Sequence, residues 1–324
     1  MSLKKAVELI KKSDNFLITT HTNPEGDALG AELAFYFLLK KLGKAASIIN
    51  EDEVPPAYDF LPGKENIKKF KYSPKKRINF GCLVFIDCSD ARRTGEVYRV
   101  NTENRPVLNI DHHISNERFA DVNWIEPHSS SCAEMIHKLY RKMRIPFDKD
   151  TATCLYTGML SDTGSFRYSN TSSSTHKAVS QLLKFNLDTV KIYSNIYENI
   201  PFEDMRLLSR ILPGMRQGAK GKIIWFQIRQ DMLKNKKLTF DLTEALLSFA
   251  RAVKGVEVCA LFKENLGVKD EIRINLRSQG KVDVNKIASY FGGGGHRTAS
   301  GATVHGKIDI VRKKVLAKIK ESLK

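Results

Sequence analysis

Phe16-Leu17-Ile18-Thr19-Thr20-His21-Thr22-Asn23-Pro24-Glu25-Gly26-Asp27 is the stretch from which the fold can be read. Its apolar run, Phe16 to Thr20, has the length of a buried strand and stops at a histidine. Asn23, Pro24 and Gly26 then make a loop. Ala28 to Leu42 repeats apolar residues at helical spacing, with Asp27 at its start. Working outward, Cys82 to Cys88 and Val107 to Ile110 are continuous apolar runs, the kind found in parallel strands covered on both faces. Helices are expected at Ser131 to Met143, Asp150 to Leu160 and Thr175 to Phe185. This alternation predicts an α/β fold with an open, mostly parallel sheet flanked by helices. At the other end, Met1-Ser2-Leu3-Lys4-Lys5 reads as the start of an amphipathic helix, not of a secretory signal.

From Asn186 to about Gly218 the sequence is helical and charged, punctuated by Pro201, Pro213 and Gly214. Strands are expected beyond it at Lys222 to Arg229, Val256 to Phe262 and Glu271 to Arg277. Helices are expected at Thr243 to Val253, Val284 to Tyr290 and Ile308 to Leu323. The expected organisation is an N-terminal α/β domain over 1–190, a helical connector over 191–218 and a smaller C-terminal α/β domain over 219–324.

A chain of 324 residues can build two cores, and 42% hydrophobic with 27% charged residues is ordinary globular composition. No run approaches the roughly 18 apolar residues of a membrane span, so a membrane role is excluded and a cytoplasmic setting expected. The five cysteines (Cys82, Cys88, Cys132, Cys154, Cys259) are odd in number, scattered and without a CxxC pair. Neither a disulfide framework nor a zinc knuckle is built that way. The net charge of +17 favours anionic partners, with nucleic acid, nucleotide and polyphosphate all fitting. The most basic segments, Lys64 to Arg77 and Lys307 to Lys324, read as solvated surface.

The chemistry sits at strand ends. His21, Glu25 and Asp27 lie in the loop after the first strand, Asp87 ends Val84-Phe85-Ile86-Asp87, and Asp111-His112-His113 follows Val107 to Ile110. Asp162-Thr163-Gly164 lies just past the helix that ends near Leu160. The carboxyl ends of parallel strands share one edge, where ligands bind. Each signal alone is weak: an Asp after a strand is more often a cap or turn residue. Together, so many carboxylates at one edge repel unless cations hold them. Carboxylates with some imidazole suit Mn²⁺ or Mg²⁺, and two such ions about 3.5–4 Å apart are the usual apparatus for cleaving phosphate esters.

These segments resemble the four motifs of the DHH phosphoesterase superfamily. Arg277-Ser278, Gly292-Gly293-Gly294-Gly295-His296 and Ala299-Ser300-Gly301 look like its DHHA1 domain. The spacing and the glycine-histidine motif are most similar to the bifunctional oligoribonucleases that also act on 3′-phosphoadenosine 5′-phosphate. The resemblance implies a two-metal hydrolase, with Mn²⁺ expected and Mg²⁺ or Co²⁺ as substitutes, acting on short single-stranded RNA and small nucleotides. It implies one metal on His21, Glu25 and Asp87, and a second on Asp27, Asp87, His112 and Asp162. His113 then faces the substrate phosphate, with Asp111 supporting the histidines. Glu25 departs from the family, which usually has Asp there. Arg277, Ser278 and Gly292 to His296 are implied to bind the rest of the substrate. The alternatives within the superfamily are a cyclic- or linear-dinucleotide phosphodiesterase and an inorganic pyrophosphatase or exopolyphosphatase, and from another class a non-catalytic nucleotide-binding regulator. Monomer and homodimer are equally open.

Overall fold

A computed structural model describes residues 2–71, 77–233, 242–265 and 267–323 of the chain. Residues 72–76 of the first basic segment and the last residue of the second lie outside the described residues. The chain divides into two compact units, Met1–Asn199 and Ile200–Lys324.

In the first unit, α1 (Ser2–Lys12) precedes β1 (Asn15–Thr19), α2 (Gly26–Lys41), β2 (Ala45–Asn50), β3 (Ile67–Lys69), β4 (Cys82–Ile86), β5 (Val107–Asp111) and β6 (Val122–Ile125). Then come α3 (Cys132–Met143), α4 (Lys149–Asp162), α5 (Ser173–Leu182) and α6 (Thr189–Tyr193). The six strands form one sheet in the order β3-β2-β1-β4-β5-β6, with every neighbouring pair parallel. The strand order reverses between β1 and β4, which makes their carboxyl ends the crevice of the sheet.

The two faces of this sheet are covered differently. Phe16, Ile18, Val84 and Ile86 face a core shared with helices α1 to α5. Leu17, Leu83 and Phe85 point the other way, into a smaller cluster closed by Ile78, Ala91, Tyr98, Val100 and Phe119. The continuous apolar strands are therefore covered on both faces, but one cover is built from 3₁₀ turns and loops around residues 91–100. On the helical side α2 crosses α4 closely. A Cβ on Gly158 would come 2.5 Å from the Ala133 Cβ and 2.9 Å from Asp27 Oδ1, so only glycine leaves room for Asp27 there.

The second unit begins with α7 (Phe202–Ile211), followed by β7 (Arg216–Gly218), β8 (Ile223–Ile228), α8 (Gln230–Leu233), α9 (Leu242–Arg251), β9 (Val258–Glu264) and β10 (Glu271–Ser278). It ends with α10 (Val284–Tyr290), β11 (Gly294–Gly295), β12 (Ala299–His305) and α11 (Ile308–Ser322). The sheet is mixed, in the order β11-β12-β10-β9-β8-β7, with only β8 and β9 parallel. Alternation along β9 feeds two cores. Val258, Ala260 and Phe262 pack with α10 and α11, and Cys259 and Leu261 with α7 and α9. The helical stretch between the two sheets is thus divided: α6 contributes Ile192 to the first unit's core, and α7 contributes Leu207, Leu208 and Ile211 to the second's.

Candidate active site

β1 and β4 run side by side in register, Ile18 opposite Val84 and Thr19 opposite Phe85, so His21 and Asp87 leave the sheet at neighbouring points. Asp87 adopts a left-handed backbone conformation, φ +61°, uncommon for a residue with a Cβ, and its amide donates to the Ile110 carbonyl at 3.0 Å. That turn sets its carboxylate between two imidazoles. Oδ2 lies 3.5 Å from His21 Nε2, and Oδ1 lies 3.6 Å from His112 Nε2. His112 Nε2 is also 3.8 Å from Asp27 Oδ2 and 3.7 Å from Asp162 Oδ2.

Both histidines are turned from behind by the main chain. His21 Nδ1 lies 2.8 Å from the Thr22 carbonyl and His112 Nδ1 lies 3.2 Å from the Ser129 carbonyl. A carbonyl only accepts, so each Nδ1 carries a proton and each Nε2 is directed at carboxylates. His113 is fixed differently: its Nδ1 is 2.7 Å from Asp111 Oδ1. The same Asp111 oxygen accepts the His112 amide at 2.9 Å, and its other oxygen accepts from Asn116 Nδ2 at 2.6 Å. Fully buried, Asp111 thus orients both histidines.

Asp27 stands at the start of α2 and its carboxylate caps a different helix. Oδ2 accepts the Cys132 amide at 2.6 Å and Oδ1 the Ala133 amide at 2.8 Å, both from the positive end of α3. Asp162 is the last residue of α4, not a residue beyond it: the Thr163 hydroxyl donates to the Met159 carbonyl at 2.6 Å and sustains the final turn. Asn170 Nδ2 then bridges the Asp162 carbonyl, at 3.1 Å, and the Ser130 carbonyl, at 2.9 Å.

The electrostatics are those of buried carboxylates crowded against imidazoles. Burial and the neighbouring Asp87 and Asp162 hold the Asp27 carboxyl well above the usual carboxylate range. Burial also disfavours a charged Asp87, but hydrogen bonds from His112 and His21 outweigh it and hold that carboxyl well below its ordinary value. Burial opposes charge on His112 as well, and the Asp162 and Asp87 carboxylates more than reverse this, raising it well above the ordinary imidazole value. His21 is raised too, with burial offset by its contact to Asp87. An Asp27–Asp87–His112 donor set, all acceptor atoms within 4.8 Å of one another, is the chemistry that divalent ions favour.

Glu25 is exposed and stands at the N-cap position of α2. Cys132 was not anticipated from the sequence. Its Sγ lies 3.6 Å from Asp87 Oδ1, within the same donor cluster as Asp27, Asp87 and His112. The only signal for it was its position after Ser131, whose hydroxyl caps α3 by accepting the Glu134 amide at 3.0 Å.

In the second unit Arg277, the penultimate residue of β10, donates from Nε and Nη2 to Glu244 Oε2, at 3.2 and 2.9 Å. Arg251 reaches the other oxygen of Glu244 at 2.9 Å. The phosphate-sized fork thus holds a carboxylate here, with two guanidinium groups against one acid. Ser278 is buried, and its hydroxyl accepts the Gly280 amide at 3.3 Å. The glycine run is ordered into a hairpin. Gly292 turns out of α10 with φ +76°, Gly294 and Gly295 pair with Gly301 and Ser300, and His296 opens the turn back into β12. A Cβ on Gly295 would stand 2.6 Å from the Ala299 carbonyl, so close strand approach accounts for glycine at that position.

Residues 15–159 match the DHH family, N-terminal domain, and residues 231–324 match the DHHA1 domain. A bifunctional oligoribonuclease and PAP phosphatase of Thermus thermophilus is 28% identical, over 99% of this chain and 94% of that protein. One of the same description from Bacillus subtilis is 25% identical over 92% of each. The Bacillus subtilis cyclic-di-AMP phosphodiesterase is 26% identical over 92% of this chain but 46% of its own length. Among solved structures, an exopolyphosphatase-related protein from Bacteroides fragilis superposes with a TM-score of 0.87 at 25% identity, covering 99% of this chain and 96% of that one.

Proposed function

The chain belongs to the DHH family and carries a DHHA1 domain, and from that premise we propose that it hydrolyses short oligoribonucleotides to mononucleotides and 3′-phosphoadenosine 5′-phosphate to AMP, in the cytoplasm, with two divalent cations, Mn²⁺ foremost. The observation that carries this reading is the pair of imidazoles aimed by backbone carbonyls, each facing one oxygen of Asp87. A carboxylate shared in that way suits two adjacent cations. His21, Glu25 and Asp87 would hold one ion, and Asp27, Asp87, His112 and Asp162 the other. Bound there, the ions supply Lewis acidity and a water acidic enough to be a nucleophile near neutral pH.

The chain's own groups do the rest. Asp111 fixes His113 through Nδ1, and His113 would meet a phosphoryl oxygen through Nε2. Asp27, anchored on the amides of Cys132 and Ala133, keeps its carboxylate oriented without a rotamer search. Arg277, Ser278 and the hairpin from Gly292 to His296 bind the remainder of the nucleotide. The relatives named for both activities match along nearly their whole length, which favours this substrate pair over a cyclic dinucleotide. The test is Mn²⁺-dependent release of phosphate from 3′-phosphoadenosine 5′-phosphate, beside 5′-labelled di- to pentanucleotides, a long RNA and a cyclic dinucleotide. Turnover of the short substrates is expected. Mn²⁺ binding without any turnover would favour a nucleotide-binding regulator.

A further inference from the structure

Behind the loop that carries His21 runs a buried polar relay to which none of the roles above gives a purpose. Glu32 lies in α2 with no exposed surface, and its Oε1 accepts from Asn50 Nδ2 at 2.8 Å. Asn50, equally buried, ends β2, and its Oδ1 accepts the Thr20 backbone N–H at 3.1 Å. The Thr20 hydroxyl donates to the Ile86 carbonyl at 2.8 Å, in the peptide that leads into Asp87. Two residues on, the Thr22 amide donates to the Arg93 carbonyl at 2.7 Å. His21 is therefore flanked on both sides by pinned peptides. One of those pins, at Thr20, is a side chain that in turn depends on Glu32.

A fully buried glutamate is a costly choice on a helix face that otherwise buries Leu29, Leu33 and Phe35. Burial raises its carboxyl to about 8 despite the bond from Asn50, so near neutral pH it acts mainly as an uncharged acceptor. A leucine would fill the core at lower cost, but it could not hold Asn50.

We propose that Glu32 is a positioning residue for the metal centre: through Asn50 it fixes Thr20, and with it the direction of His21 and its separation from Asp87. The inference rests on the reading that His21 and Asp87 hold a cation, so the test measures Mn²⁺ binding directly, without substrate. Free Mn²⁺ is titrated by its paramagnetic resonance signal against the full-length parent, E32A, E32Q and the double variant E32L/N50L. Melting of each is recorded in chelator.

The parent is expected to bind two ions. E32A should bind one of them roughly 10–100-fold more weakly, the usual cost of losing a group that orients a ligand, and leave the other unchanged. E32Q keeps the acceptor oxygen and should restore both. E32L/N50L removes the Glu32–Asn50 pair together, so the Thr20 N–H is the one partner of the relay left unpaired. It should melt no lower than E32A yet bind as poorly, because the Thr20 amide has lost the group that held it. If the parent takes up no Mn²⁺, the metal reading itself is wrong. If the parent binds two ions and E32A and E32L/N50L bind both as tightly, the relay does not position the centre. Loss in E32Q equal to that in E32A would also overturn the proposal, as would full binding by the double variant with E32A weakened only in proportion to its melting.

Discussion

Replacing Asp87 by asparagine should uncouple this chain from Mn²⁺ altogether, because its two oxygens face different histidines and its loss depletes both sites. A bound ion at a hundredfold excess over its Kd stabilises a fold by about 2.7 kcal/mol. A domain the size of residues 1–199 melts about 2–4 °C higher per kcal/mol. One filled site therefore raises the first unit's transition by roughly 5–11 °C and two by roughly 11–22 °C. The parent should show the larger shift between chelator and saturating Mn²⁺. Asp87→Asn should stay folded, shift by less than a single site would give, and release no phosphate from 3′-phosphoadenosine 5′-phosphate. Calorimetry with and without Mn²⁺, run beside the phosphate assay, reads both. An Asp87→Asn protein that keeps the parent's shift, or its turnover, would refute the assignment of Asp87 as the shared ligand.

Three further outcomes are expected. His21 and His112 have folded-state values raised above the ordinary imidazole value, so in chelator the stability their protons give is fully present below about pH 6.5 and lost as pH rises through the raised values, whereas the share of Asp27, raised from the carboxylate range, is lost from about pH 4 upward. Melting in chelator should accordingly fall as pH rises above about 6.5, while apparent Mn²⁺ affinity rises as protons cease to compete; a flat melting profile contradicts the electrostatics described above. Glu25→Ala should weaken one Mn²⁺ site and Glu25→Asp should shift it less; a titration of Glu25→Ala that overlays the parent removes Glu25 from the ligand set. Arg277→Ala and His296→Ala should raise KM for di- to tetranucleotides more than they lower kcat, and an unchanged KM would take the glycine-histidine hairpin out of substrate binding.

Strand ends were the legible part of the site. A parallel sheet delivers whatever follows its strands to one edge, so His21, Asp87 and Asp111 to His113 could be brought together from apolar runs alone. Asp162 was harder, since a helix end carries no such rule; only the Thr163 hydroxyl decides that α4 reaches it. Cys132 and Glu32 were invisible for a related reason. Each is an unremarkable helix position until tertiary packing sets it beside a group 18 to 45 residues away. The glycine run carries a structural demand besides the binding role expected of it, since Gly295 is required by the approach of β12. The pairing of Arg277 with Glu244, 33 residues apart, is likewise a product of the fold that no local pattern announces.

The anchoring of Asp27 on Cys132 and Ala133, 105 and 106 residues further along, has a bearing on how the protein is made. A ribosome releases the chain from its N-terminus, so the loop with His21 and Asp27 emerges long before the helix that orients it. β1 meanwhile must wait for β4 to arrive before its second edge is paired. The contacts that join His21, Asp27, Asp87 and His112 are of this distant kind, which makes assembly of the nest slow and late. A nascent chain that ends before α3 contains His21, Asp27, Asp87 and the histidine pair, yet lacks the amides that aim Asp27. Hydrolytic competence should therefore appear only after α4 and Asn170 have left the exit tunnel, and fragments released early would be inert toward the RNA around them.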